Sequence, residues 1–96
     1  MDTNDASRTE RAWLEATCAR IDPSLAPPED RDVRALLRVT KVTADATGVR
    51  YLAPLTSYLI GRAAGRADAR GETFDLRGAV DAVSELAAAW APAPEG

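Results

Sequence analysis

Apolar residues recur every three or four positions along most of the chain, and this spacing predicts four amphipathic α-helices. The predicted helices cover residues 7–20, 29–46, 53–69 and 75–90. No stretch alternates apolar and polar residues in the way that a half-buried strand does. Because short connections favour antiparallel neighbours, the sequence predicts an all-α fold, a compact antiparallel four-helix bundle.

Residues with capping preferences stand near several predicted helix ends. Ser7 and Glu10 have the spacing of a capping box at the start of the first helix. Gly48 suits the end of the second helix, and Asp75 suits the N-cap of the fourth. These residues indicate where the chain enters and leaves its helices.

Proline-rich stretches divide the chain into helical and non-helical parts. Three prolines within residues 23–28 separate the first two helices, because proline cannot continue a helix. We expect a single helical domain over residues 7–90, preceded by a flexible N-terminus over residues 1–6. The proline- and alanine-rich residues 91–96 are expected to form a disordered tail.

The segment at residues 53–65 predicts the most buried helix of the bundle. Leu59 belongs to an apolar side of this helix, whereas Tyr58, Gly61 and Gly65 fall on roughly the opposite side. Each glycine costs about 0.8–1 kcal/mol in a helix interior, and the close approach of another helix would offset that cost. We therefore predict that Tyr58, Gly61 and Gly65 pack against neighbouring helices.

Two tryptophans and the single cysteine occupy apolar positions of the helices. Trp13 and Trp90 are expected in the core; an exposed tryptophan would instead anchor an interface. Cys18 shares the apolar side of the first helix with Trp13. We expect a small core residue there, because the chain has no histidine to activate a thiol.

Composition and charge narrow the classes of function. The 96 residues contain no histidine, which removes the commonest general base and metal ligand, and one cysteine cannot form an internal disulfide. A net charge of −3 argues against nucleic acid as a partner. No apolar run is long enough to cross a membrane, and no signal peptide opens the chain. We expect a cytoplasmic, non-catalytic protein with no metal, cofactor, nucleic acid or membrane partner.

Rows of cations allow two interpretations. Arg62, Arg66 and Arg70 follow one another at four-residue spacing, and with Arg50 they are the candidates for an anion site. The alternative is that their stems cover apolar surface while their charges remain solvated. The same alternatives apply to a row of cations on the second helix, formed by Arg31, Arg34, Arg38 and Lys41.

The sequence A-P-L-T-S-Y-L-I-G-R-A-A-G at residues 53–65 carries a family resemblance. Together with the leucine-rich residues 33–37 and the helix containing Trp13, it resembles a family of small bacterial all-helical domains of unknown function. Such domains also occur as a C-terminal appendage to proteins resembling molybdenum-cofactor guanylyltransferases. The resemblance covers about residues 13–86 and supplies no catalytic residue. It implies an accessory domain whose protein partner is a molybdenum-cofactor nucleotidyltransferase or a molybdoenzyme.

Two functions of different classes remain open from the residues. The first is a non-catalytic helical adaptor that binds a protein partner or forms a homodimer through an exposed apolar face. The second is a small module that binds an anion or a nucleotide phosphate through the arginine cluster of Arg50, Arg62, Arg66 and Arg70. An enzyme is disfavoured, because no spacing identifies a catalytic pair.

Overall fold

The structure, a computed structural model of the chain, describes residues 3–90, and all regular structure in that range is α-helical. The helices are α1 (Thr3–Ile21), α2 (Asp30–Thr47), α3 (Leu52–Ala69) and α4 (Leu76–Ala89). The prediction of an all-α fold with four helices is confirmed. The expected tail at residues 91–96 lies outside the described residues, as do residues 1–2 of the expected flexible N-terminus.

Two of the predicted helix ends have the expected capping geometry. Gly48 follows α2 in the left-handed conformation, with φ of 70°, and its N–H donates to the carbonyl of Ala44 at 2.9 Å. Glycine adopts this conformation without a Cβ penalty. At the start of α4, the N–H of Gly78 donates to Asp75 Oδ1 at 2.9 Å. This bond satisfies one of the N–H groups that a first helical turn leaves without a partner.

The predicted capping box of the first helix is wrong. α1 begins at Thr3, so Ser7 lies inside the helix rather than before it. Asp5 places a negative charge in the first turn, which complements the helix dipole. The hydroxyl of Thr9 donates to the carbonyl of Asp5 at 2.9 Å, a bond typical of a helix interior. The helix therefore includes residues that were expected to be flexible.

The hydrophobic core is centred on α2. Ala35 and Val39 of α2 are buried together with Ile60 of α3 and Val80 of α4. α2 packs against both α3 and α4, which contact each other far less. The prediction that α3 is the most buried helix is therefore wrong: α3 contributes Ile60 alone to the buried cluster, and its opposite side faces solvent.

The residues that line the surface grooves give the directions of these helices. Arg31 and Arg77 meet in one groove near the starts of α2 and α4, and Ala46 and Ala87 meet in another near their ends. α4 therefore runs in the same direction as α2. Leu52, the first residue of α3, lines the second groove, so α3 runs in the opposite direction.

α1 is separate from the other three helices. No Cα atom of α1 lies within 8 Å of a Cα atom in α2, α3 or α4. Its connection beyond the loop is made by Arg11, whose Nη2 donates to Asp30 Oδ1 at 3.2 Å and to the carbonyl of Pro28 at 3.4 Å. α1 is therefore attached at the N-terminal end of α2. None of the helices in residues 3–90 combines the length and apolarity that a bilayer span requires.

Candidate functional site

The four arginines proposed as an anion site do not come together. Arg50 precedes α3 and Arg70 follows it, and the 18 residues of that helix place its two ends about 27 Å apart. One ligand cannot contact both, so the four-arginine site is wrong as predicted. Arg62 and Arg66 do lie side by side on α3, and the Arg62 guanidinium stands 5.9 Å from the ring centroid of Tyr58.

The residues predicted to pack against neighbouring helices lie on the outer side of α3. Tyr58 is exposed, and a Cβ built on Gly61 or Gly65 would meet no atom within 4 Å beyond the adjacent residues and backbone of its own helix. The prediction of close packing at Tyr58, Gly61 and Gly65 is therefore wrong within this chain. The reason is that α3 turns the side bearing Ile60 toward α2, and no helix of residues 3–90 covers the side with the glycines.

Both tryptophans are exposed, so their predicted core positions are wrong. Trp13 is 70% exposed and Trp90 is 52% exposed. Trp13 belongs to the separate α1, and Trp90 follows the last residue of α4 at the edge of a groove. Large aromatic side chains in such positions are typical anchors of protein interfaces.

An open apolar groove lies between α3 and α4, with the C-terminal half of α2 as its floor. Its volume is about 320 Å³. The residues that line it include Thr43, Leu52, Leu59, Val83, Leu86 and Trp90. We call this the α3/α4 groove. Sequence patterns did not reveal it, because its two walls are distant in the chain and meet only through their packing on α2.

Two of the three threonine hydroxyls that line the α3/α4 groove donate to backbone carbonyls of their own helices. Thr47 Oγ1 donates to the carbonyl of Thr43, and Thr56 Oγ1 donates to the carbonyl of Leu52, each at 2.8 Å. Thr43 differs: it is only 7% exposed, and its Oγ1 has no hydrogen-bond partner among the described residues. Such a buried group costs about 1–3 kcal/mol. The groove is thus apolar, with one hydroxyl left unsatisfied at its floor.

α1 carries a second apolar surface. Trp13 and Ile21 are each 70% exposed, and they line one open patch together with Thr17. Cys18, which was expected to be a small core residue, is half-buried on the same helix. It lies outside the buried cluster of α2–α4. We call Trp13, Thr17 and Ile21 the α1 stripe.

A cationic groove lies on the other side of α2. It has a volume of about 660 Å³ and is lined by Arg31, Arg34, Arg38 and Arg77, together with Ala35 and Asp81. Arg38 Nη2 donates to Asp81 Oδ1 at 2.9 Å. The row of cations on α2 was visible in the sequence, but the contribution of Arg77 depends on how α4 packs. Lys41 lies outside this groove and pairs with Asp45 at 3.1 Å.

Comparison with known proteins identifies one family. The model of the family described as "Domain of unknown function (DUF6457)" matches residues 5–95. No curated protein and no solved structure gives a significant match. The resemblance to a small all-helical domain of unknown function is thereby confirmed, and the family description names no activity, cofactor or partner. The match covers nearly the whole chain, which therefore belongs to the DUF6457 family.

Proposed function

We propose that this chain is a non-catalytic helical domain that binds a protein partner through the α3/α4 groove. The observation that carries the proposal is the exposure of Leu59, Leu86 and Trp90 around one opening, each more than half exposed. Contiguous apolar surface of this kind marks an interaction site in a soluble protein. An aromatic side chain beside aliphatic ones is also the composition that the centre of an interface favours.

The lining of the groove supports binding rather than catalysis. Among the described residues, no carboxylate, amine, guanidinium or thiol lines the groove, so it offers no general acid, base or strong nucleophile. Its shape suits an amphipathic helix laid between α3 and α4. We place this role in the cytoplasm, where the single thiol of Cys18 would stay reduced.

For the partner, we propose a molybdenum-cofactor nucleotidyltransferase or a molybdoenzyme. The support is the resemblance to domains appended to proteins that resemble molybdenum-cofactor guanylyltransferases. A nucleotidyltransferase uses an α/β nucleotide-binding domain, which four helices do not provide. The chain would therefore act as an accessory domain that positions the enzyme or assists cofactor transfer.

Calorimetric titration of a molybdenum-cofactor guanylyltransferase into the chain tests this function. We expect Leu59→Glu to weaken binding at least about tenfold, because it places a charge in the apolar groove. Leu37→Glu is the matched control, since Leu37 is equally exposed but lies outside the groove. Equal effects of the two variants on binding would exclude the groove as the binding site. Absence of binding by the unaltered chain would exclude this partner.

The cationic groove supports a second candidate function, the binding of a phosphate-containing ligand. Arg34 and Arg77 line this groove and form no ion pair with any described residue. Guanidinium groups bind phosphate oxygens in a bidentate manner. We expect millimolar GTP or pyrophosphate to raise the melting temperature, and we expect Arg34→Ser to abolish the shift while Arg66→Ser retains it. An unchanged melting curve of the unaltered chain would remove this candidate.

A further inference from the structure

The α1 stripe and the α3/α4 groove are apolar surfaces that no helix of residues 3–90 covers. We propose that they cover each other between two copies of the chain. In this dimer each copy places its α1 in the α3/α4 groove of the other, so the two copies exchange their first helices around a two-fold axis. The inference rests on the proposed function, because it uses the same groove, which the second copy fills when the enzyme partner is absent.

The dimensions of the two surfaces match. From Trp13 to Ile21 the α1 stripe covers eight residue steps, which is about 12 Å of helix. The α3 wall of the groove, from Leu52 to Ile60, also covers eight steps and about 12 Å. A helix placed there would join α2, α3 and α4 as the fourth member of a four-helix bundle. The exchange therefore completes an architecture that α2–α4 leave open.

The attachment of α1 explains why the occupant comes from a second copy. Arg11 holds α1 at Asp30, the first residue of α2, whereas Thr43 in the floor of the groove lies about 20 Å farther along that helix. No Cα atom of α1 approaches α2, α3 or α4 within 8 Å. In the exchanged dimer, Arg11 can keep its bond to Asp30 while the stripe lies in the other copy.

Polar groups on the two surfaces are complementary as well. The floor of the groove contains the unpartnered hydroxyl of Thr43, and Thr17 supplies a hydroxyl from the middle of the α1 stripe. Glu10 lies one turn before Trp13 and forms no ion pair with a described residue. Two arginines that are also unpaired stand beside Leu59 on the α3 side of the groove, Arg62 and Arg66.

The area available suits a stable dimer. A two-fold exchange covers Trp13 and Trp90 in both copies, so four exposed tryptophans are buried. At about 150–250 Å² for each fully buried aromatic side chain, their exposed parts contribute roughly 500 Å². Ile21, Leu59 and Leu86 of both copies bring the total toward the roughly 1,200–2,000 Å² of specific interfaces.

Disulfide trapping tests the exchange directly. The full chain would carry Cys18→Ser, Thr17→Cys and Ala87→Cys, so that one new thiol lies on the α1 stripe and the other lines the groove. We expect mild oxidation to give a covalent dimer of twice the 10.2 kDa chain mass. Ala88→Cys in place of Ala87→Cys is the control, because Ala88 is exposed outside the groove. A disulfide formed within one chain would show that α1 folds back on its own groove and would overturn the exchange.

Sedimentation of the unaltered chain gives the second readout. We expect a dimer whose dissociation constant rises at least about tenfold with Trp13→Ala and stays unchanged with Leu37→Glu. A monomer at all concentrations overturns the exchange. If that monomer binds the guanylyltransferase in a manner sensitive to Leu59→Glu, the proposed function stands without the exchange. If its binding is insensitive to that variant, the groove proposal and the exchange both fail.

Discussion

Val39 and Trp13 are both apolar residues of amphipathic helices, yet Val39 is fully buried and Trp13 is 70% exposed. Val39 belongs to α2, which has α3 and α4 packed against it, whereas Trp13 belongs to α1, which approaches none of these helices. The periodic pattern thus shows that one face of a helix favours burial. It does not identify the surface that covers this face, or whether that surface belongs to the same chain.

α1 and the other three helices also differ in what stabilises them. α2–α4 share a buried cluster, so their helical structure is supported by tertiary packing. α1 has 19 residues but packs against none of these helices, and most of the stability of protein helices comes from tertiary packing. Under the proposed exchange, α1 obtains its packing from a second copy. The behaviour of α1 should therefore depend on protein concentration, and that of α2–α4 should depend on it much less.

Hydrogen exchange should show the largest contrast between the two regions. In a dilute, monomeric sample we expect the amides of α1 to exchange through local opening, and those near Val39 and Thr43 to exchange only through global unfolding. Because global unfolding of a domain costs at least several kcal/mol, protection should differ by about a thousandfold or more. The amides of α1 should gain protection as concentration rises. Equal protection of α1 and α2 in the dilute sample would show that α1 is as stably packed as α2 in the monomer.

Truncation of the two residues should give the next largest difference. We expect Val39→Ala to lower the free energy of unfolding by about 2–3 kcal/mol, since it removes fully buried methyl groups and leaves a cavity. Trp13→Ala should change it by less than about 0.5 kcal/mol in dilute solution, because the side chain is exposed there. Urea denaturation followed by circular dichroism measures both. A large loss from Trp13→Ala under dilute conditions would mean that α1 packs within its own chain.

Two ion pairs extend the comparison to smaller energies. Arg38 and Asp81 join α2 to α4 at 2.9 Å, whereas Arg11 and Asp30 join α1 to α2 at 3.2 Å, and both pairs are substantially exposed. In double-mutant cycles with alanine, we expect a coupling of about 0.2–1 kcal/mol for the first pair in the unfolding of α2–α4. The Arg11–Asp30 pair should give a coupling energy near zero in the unfolding of α2–α4. A larger coupling energy for Arg11–Asp30 would show that α1 unfolds together with α2–α4.

Local features of this fold were predictable from the sequence. The capping preferences of Gly48 and Asp75, together with the apolar period, predicted the ends of α2 and the start of α4 to within one residue. These features depend on neighbours a few positions away, which a single sequence displays. The start of α1 was missed because the Ser7–Glu10 spacing also occurs inside a helix, and the pattern alone cannot distinguish the two positions.

The candidate site depends on distances that the sequence does not display. The pattern around Gly61 indicated two contacting sides of α3, but only the side with Ile60 has a partner among the described helices. Arg50 and Arg70, which were expected in one anion site, are separated by the length of α3. Arg77 joined the cations of α2 only because α4 packs beside them. In each case the missing information is the tertiary placement of a helix.

The loop between α1 and α2 supplies the smallest predicted effect. The hydroxyl of Ser24 donates to Asp22 Oδ1 at 2.7 Å, and its backbone N–H donates to the same oxygen at 3.0 Å. These bonds favour the ionised carboxylate and hold the pKa of Asp22 below its ordinary value of 3.8. Their contribution is present above pH 3.8 and is lost as the pH falls through the lowered pKa. We expect Ser24→Ala to raise the pKa of Asp22 toward 3.8, as measured by the carboxyl carbon shift during an NMR titration.

Urea denaturation of the Ser24→Ala variant shows whether the loop belongs with α1 or with α2–α4. Because Asp22 and Ser24 lie between α1 and α2 and outside the buried cluster, Ser24→Ala should leave the urea midpoint of α2–α4 unchanged at neutral pH. The same variant removes one restraint on the loop that sets the position of α1. A change in that position should appear as a change in the dissociation constant of the dimer. A shifted urea midpoint in the dilute monomer would show that the loop stabilises α2–α4. An identical Asp22 titration in both proteins would mean that the Ser24 hydroxyl does not bond to this carboxylate in solution.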